Sequence, residues 1–312
     1  MKVLLFLALL VASIMLFFLL GPVYTLPPFT PLDIKIAVYI KLPSELFACI
    51  AGALLAVSGL ILQYLFRNPL MDPYVSGTSA GASFGAVVSF LLPFELIASV
   101  MYETLTAFLF ALLASVITLL LGRKGTVNAL LFAGLTVNFA FVSGLMIAEE
   151  YLALKFPSTP SPLFWIFGEI GVESYKQVVI LLLITLGFIA FAISSERRFD
   201  LISAGDELSS SFGLNSSAFR IVWFMVTSIV IAYLVSQVGI IGFIGLMAPH
   251  IARNSGADGF RESLIYSALI GASLLGLANV IAGGTFGFIL PMTSVTAIIA
   301  MPILIRLVRT LD

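Results

Sequence analysis

Residues 221–249 read IVWFMVTSIVIAYLVSQVGIIGFIGLMAP, a run of 29 residues without one charged side chain. As a single α-helix the run would reach about 44 Å, well beyond a hydrocarbon core of about 30 Å. It therefore divides into two crossings. The break falls near Gln237-Val238-Gly239, where a polar residue and a glycine coincide. Residues 263–305 pose the same problem: they carry no charge and must hold two spans, with the turn near Gly283-Gly284.

Outward from these runs, the same reading gives ten spans. They are Val3–Leu20, Leu46–Phe66, Val75–Leu92, Leu105–Leu121, Asn128–Ala148, Val178–Ser194, Phe219–Ser236, Val238–Arg253, Leu264–Ala282 and Pro291–Val308. Only 10% of the 312 residues are charged and 61% are hydrophobic, with a mean hydropathy of +1.16. Soluble domains carry about 25% charged residues, so the chain is read as an integral membrane protein. Its apolar blocks are continuous and do not alternate, which selects helices over barrel strands. The expected fold is all-α, with about ten transmembrane helices in one transmembrane domain over residues 1–312. A net charge of −1 gives no argument for a nucleic-acid partner. The single cysteine, Cys49, excludes an intrachain disulfide and reads as a packing residue. No small-x-small cleavage site follows Val3–Leu20 before Gly21-Pro22, so that block is expected to remain as the first span.

Ten spans can be oriented by their basic residues. With the N-terminus inside, eleven of the fifteen Lys and Arg fall on the inner side; only Lys35, Lys41, Lys155 and Lys176 fall outside. The expectation is a multi-pass protein of the cell (inner) membrane with both termini cytoplasmic.

The longest polar interruption in the second half is then cytoplasmic. Residues 196–215 read ERRFDLISAGDELSSSFGLN. Phe199, Leu201, Ile202, Leu208, Phe212 and Leu214 recur at roughly helical spacing, so two short amphipathic helices broken at Gly205 and Gly213 are expected. Such a stretch is either a docking surface for a soluble partner or a solvated connector. On the inferred third span, Gly77, Gly81 and Gly85 form an i, i+4, i+8 strip; Gly52 and Ala56 form a shorter one on the second. Small-residue strips let helix backbones approach closely. Asn68-Pro69 and Asp72-Pro73 mark a sharp turn between those spans.

Several segments resemble the FecCD-type permeases, the transmembrane subunits of ABC importers for ferric siderophores, haem and vitamin B12. In order they are KLPSELFACIAGALLAVSG, LFRNPLMDPYVSGTSAGASFGA, FDLISAGDELSSSFGLN, GIIGFIGLMAPHIAR and LPMTSVTAIIAMPILI. The resemblance runs from about Lys41 to the C-terminus. It implies a BtuC-like permease fold that pairs with a second copy of itself, rests on two copies of a separate cytoplasmic ABC ATPase, and receives substrate from an extracytoplasmic binding protein. ATP and Mg would belong to the ATPase, with no cofactor bound by this chain. Phe199, Leu201, Gly205, Asp206, Glu207, Leu208, Phe212 and Gly213 match the ATPase-coupling loop, and Gly125, Thr126 and Asn128 match the region of the cytoplasmic gate. The fifth and tenth spans would line the pathway, which makes Thr136, Asn138, Ser143, Thr293 and Thr296 candidates. Two departures fall at the outer end. Ser44-Glu45 follows the Lys41 segment where a second basic residue is usual, and Gly287-Phe288-Ile289 replaces an acidic residue before Leu290-Pro291.

No Walker A sequence is present; Gly122–Thr126 has the wrong length and spacing. The lone His250 has no metal-ligand neighbours in sequence and reads as a helix-end packing or hydrogen-bonding residue. The alternative from another class is an ion-coupled secondary transporter of a small solute. It would need carboxylates inside the spans, and all sixteen acidic residues are expected outside them or at their ends. No paired nucleophile and base marks an intramembrane enzyme.

Overall fold

The computed structural model describes residues 2–20, 30–91, 100–122, 126–155, 167–285 and 288–309. In chain order the helices are α1 (Lys2–Leu20), α2 (Pro31–Ile36), α3 (Leu42–Phe66), α4 (Thr78–Ser89), α5 (Val100–Leu121), α6 (Val127–Lys155) and α7 (Tyr175–Ser194). There follow α8 (Glu196–Ala204), α9 (Asp206–Ser211), α10 (Ser216–Val238), α11 (Ile244–Asn254), α12 (Gly259–Ala282) and α13 (Met292–Arg309). A π-helical turn, Ala37–Lys41, joins α2 to α3. Among the described residues no strand is present.

Each of the ten expected spans has a helix in the expected place. Among the described residues seven are long and apolar enough to cross a bilayer: α1, the continuous Pro31–Phe66 helix, α5, α6, α7, α10 and α12. Three boundaries differ for identifiable reasons. The second span begins earlier, because Thr30 and Asp33 form a capping box and Pro31 occupies the first turn of α2. The third is only 12 residues long: Asp72 caps a 3-10 turn at Pro73–Ser76, and Gly77, at φ +77°, then starts α4. The eighth is 11 residues, because Gly239 and Phe243, both at φ +71°, keep the intervening chain out of the helix. At about 1.5 Å per residue, α4 and α11 each fall well short of a bilayer core of about 30 Å. The breaks themselves lie where expected, with α10 ending at Val238 and α12 at Ala282.

The chain divides into two compact units. The first comprises Met1–Leu60, Glu169–Asp200 and Ile241–Asp312. In it α12 packs against α1, α11 and α13. Glycine sets the approach of α3: a Cβ on Gly52 would run into the Gly271 carbonyl of α12, and one on Gly59 into that of Gly245 on α11.

The second unit comprises Ile61–Gly168 and Leu201–Ile240. Here α4 packs on α5, α6 and α10, around a core that includes Ala82, Ala86, Ala107, Ala111 and Ile231. The glycine strip divides its work. Cβ atoms on Gly81 and Gly85 would each come within 2.5 Å of a carbonyl of α5, those of Phe110 and Thr106. Gly77 supplies the left-handed turn and faces Val137 of α6. Hydroxyls knit the same contact. Thr118 Oγ1 donates to the Ser76 carbonyl at 3.0 Å, and Thr78 Oγ1 lies 3.0 Å from Ser115 Oγ.

Candidate coupling site

The polar stretch folds into α8 and α9, and its apolar residues point two ways. Phe199 and Ile202 are buried, Leu201 is half-buried, and Leu208 and Phe212 stay exposed, at 45% and 69%. In the first unit, Phe199 stacks on Phe260 with ring centroids 4.1 Å apart. Asp200 Oδ1 accepts the Phe260 N–H at 2.9 Å, satisfying one of the unpaired amides at the start of α12. Phe199 therefore anchors α8 to its own chain and offers no surface to a partner.

In the second unit, Gly205 lies at φ +129°, ψ 158°, a conformation open essentially only to glycine. It is a sharper departure than the left-handed turn often found between short helices. Asp206 then opens α9 and pairs with Arg220 of α10 and, at 3.4 Å, with Arg67. Arg220 is itself buried, and its Nε donates to the Leu65 carbonyl at 3.0 Å. The hydrogen bond from Arg220, aided by the charges of Arg220 and Arg67, holds the Asp206 carboxyl below its ordinary value. Ser209, fully buried, places its hydroxyl 2.9 Å from the Leu201 carbonyl and 2.6 Å from that of Gly205. Gly213, at φ +77°, ends the motif. The result is a fixed six-residue helix whose outer face carries Glu207 and Leu208, with Phe212 exposed at its C-cap. Arg67 and Arg220, which the sequence shows only as two inner-side charges, do the fixing. The one local hint was Arg220 standing immediately before the 29-residue uncharged run.

The remaining candidates fall in different surroundings. Of the gate residues, Gly125 lies outside the described residues; Thr126 caps α6 by accepting the Ala129 N–H at 3.4 Å, and Asn128 is exposed. On α6, Thr136 and Ser143 are exposed, each hydroxyl donating to a carbonyl one turn back. They share that helix with Phe132 and Phe139, which are exposed too; Asn138 is half-buried. On α13, Thr293 Oγ1 accepts the Gly242 N–H at 3.2 Å and Thr296 is fully buried. His250 pairs with Asn254 at 3.0 Å along α11.

Over residues 2–310 the sequence matches the model of the FecCD transport family. The chain belongs to that family. It is 32% identical over 276 residues to an Fe(3+)-citrate import system permease protein of Bacillus subtilis, covering 86% of this chain and 80% of that one. It is 34% identical over 251 residues to a hemin transport system permease protein of Yersinia pestis, covering 78% and 73%. A molybdate import system permease protein of Haemophilus influenzae is 26% identical over 88% of this chain and 80% of its own. Among solved structures, an inward-facing metal-chelate type ABC transporter superposes with a TM-score of 0.84 at 24% identity, covering 99% and 98% of the two chains. This FecCD chain is thus a multi-pass permease subunit of an ABC importer, and the ion-coupled alternative is set aside.

Glu45 departs from the placement expected of the acidic residues. Glu45 is not at a span end: α2 and the π turn extend the helix before it, and it is 1% exposed. Its Oε2 accepts from Asn279 Nδ2 at 3.0 Å, and Cys49 Sγ lies 3.7 Å from Oε1. The two departures from the family pattern also meet here, for Ser44, Phe288 and Ile289 line one cavity of the first unit.

Proposed function

We propose that this permease carries an iron chelate, a ferric siderophore, ferric citrate or haem, through a pathway on the axis of a homodimer. Two of the relatives named above handle such cargo, and that supports the reading. Each copy docks one cytoplasmic ABC ATPase on α8–α9, and an extracytoplasmic binding protein loads the outer mouth. ATP and Mg bind the ATPase, so hydrolysis takes place there and not on this chain. Both termini face the cytoplasm, which puts Thr126 and Asn128 at the inner gate. Closure of the ATPase pair pushes the coupling helices, and helices carrying Thr136, Asn138, Ser143, Thr293 and Thr296 tilt to open the other side.

The observation that carries this reading is the outer face of α9. Leu208 and Phe212 would be expected to bury themselves in an isolated connector, yet Arg220, Arg67 and Ser209 hold their helix so that both stay exposed. Exposed apolar anchors on a fixed helix suit a cleft in a soluble partner. Leu208→Ala and Phe212→Ala should each weaken ATPase association by about 2 kcal/mol with membrane insertion unchanged. Wild-type association in both variants would reduce the loop to a connector. The cargo is tested separately, by measuring hydrolysis in vesicles with the binding protein loaded with ferric chelates, haem, cobalamin or molybdate. Stimulation confined to molybdate would overturn the iron assignment.

A further inference from the structure

Arg220 lies in the second turn of α10 and is 1% exposed. The edge of a guanidinium that carries Nε and Nη2 ordinarily grips both oxygens of one carboxylate. Here that edge is divided between two elements. Nε donates to the Leu65 carbonyl at 3.0 Å, in the last turn of α3, and Nη2 donates to Asp206 Oδ1, on the first residue of α9. The last four carbonyls of a helix lack partners within it. Those of Tyr64 and Gln63 take the N–H groups of Arg67 and Asn68, and that of Leu65 takes Arg220.

The turn after α3 is held as firmly. Arg67 lies at φ +50°, a left-handed conformation that costs a non-glycine residue energy and persists where its surroundings hold it. Its Nη2 reaches Asp206 Oδ1 at 3.4 Å. Gln63, buried in α3, donates to the Met71 carbonyl at 3.3 Å. In the second unit, therefore, the end of α3, the turn after it, the start of α9 and the start of α10 gather around one buried cation. Taking a guanidinium out of water offsets much of what its ion pair returns, so such a pair adds little net stability. Its best-attested use is to fix one arrangement of elements. α10 in turn packs on α4 and α5, and both pack on α6.

We propose that Arg220 is a positioning residue for energy coupling. It makes α9, α10 and the last turn of α3 move as one body, so that a push on α9 reaches α10 and, through α4 and α5, α6. The role rests on the docking of an ATPase against α9, and it adds which helices receive the stroke and through which side chain. Lysine cannot take this place. Its ammonium keeps a charge for Asp206 but lacks the planar two-pronged edge that holds a carbonyl and a carboxylate together.

The test uses the full permease assembled with its ATPase in lipid nanodiscs, without nucleotide and trapped with ATP and vanadate, so that no cargo is needed. Amide hydrogen exchange is read by mass spectrometry. In the wild type, docking should protect α9, and trapping should change exchange in α10 and in the first turns of α6. In Arg220→Lys the protection of α9 should persist and exchange without nucleotide should match the wild type, which a merely structural defect would not allow. The trapping response of α10 and α6 should shrink about three- to tenfold, within the range over which single residues modulate coupling between sites. Asp206→Asn, at a half-exposed position, keeps an acceptor and removes the charge, so the response should shrink by a smaller factor. That variant decides the question on its own where Arg220→Lys does not assemble. An undiminished response in either variant, with α9 still protected, would overturn the role of Arg220 alone. Loss of α9 protection in Arg220→Lys would also overturn it, making Arg220 a docking residue. An unprotected α9 in the wild type would instead refute the docking of the ATPase, and the role of Arg220 with it.

Discussion

Asp206 on α9 and Glu45 on α3 each sit at the centre of a polar cluster, one outside the apolar spans and one inside. Asp206 is half-exposed and meets two arginines; Glu45 is buried and meets an amide, a thiol and, near them, the Ser13 hydroxyl. Water can replace the partners of the first if they are lost. Nothing can replace those of the second, because a desolvated polar group keeps only the partners its packing supplies. The difference teaches that a carboxylate's surroundings, more than its presence, set what its removal does.

Glu45→Lys should show this most strongly. It places a second buried cation one helical turn from Lys41, at a cost on the order of several kcal/mol, so the protein should fail to purify as a monodisperse species. Glu45→Gln keeps an acceptor for Asn279 and should lose no more than about 1 kcal/mol. A normal melting temperature for Glu45→Lys would break the comparison. Gly276 shapes the same cluster, since an added Cβ would lie 2.7 Å from both Glu45 Oε1 and Ser13 Oγ. Gly276→Ala should therefore cost about 1–3 kcal/mol by overpacking, read as a lower thermal midpoint. Its counterpart outside, Gly205→Ala, has room for the methyl group, with only Arg67 at 3.7 Å. The loss there, on the order of 1 kcal/mol or a little more, comes from backbone strain and should appear as faster proteolysis at α8–α9. Equal global destabilisation by both glycine variants would show that the outer cluster is as tightly packed as the inner one.

The smallest effect concerns protonation of Asp206. Its folded pKa is depressed, so the stabilisation it contributes is fully present above the ordinary value of 3.8 and is lost as pH falls through the lower, folded value. Between pH 7 and pH 5 its contribution should be constant. Because the side chain is half-exposed, the total should stay below about 1 kcal/mol. Asp206→Asn should flatten the acid limb of a melting curve below that value, and a difference already growing at pH 6 would contradict the assignment.

The ordering of these effects follows what the sequence made legible. The α8–α9 pattern and its glycine breaks follow from local periodicity. That Phe199 would turn inward to stack on Phe260 was not readable, since nothing near Phe199 distinguishes it from Phe212. The expected span Leu46–Phe66 leaves Glu45 at its edge, since the uninterrupted apolar run begins only after it. In the folded chain the capping box at Thr30 moves that edge back by more than three turns. Likewise Gly77, Gly81 and Gly85 looked equivalent by spacing, and only the packing of α5 and α6 separates the left-handed cap from the two contact glycines.

By itself the sequence determined the helical class, the order of the ten apolar segments and the breaks at Gly239 and Gly283. Those depend on chain-local quantities: hydropathy summed over a bilayer's thickness, and the backbone freedom of glycine. Only the tertiary structure decided that α4 and α11 are too short to span and which polar groups meet. Glu45 and Asn279 are 234 residues apart, and Arg220 and Leu65 are 155 apart. Such pairs arise where helices pack closely enough to exclude water, and no periodicity along a single helix encodes the partner it will find on another.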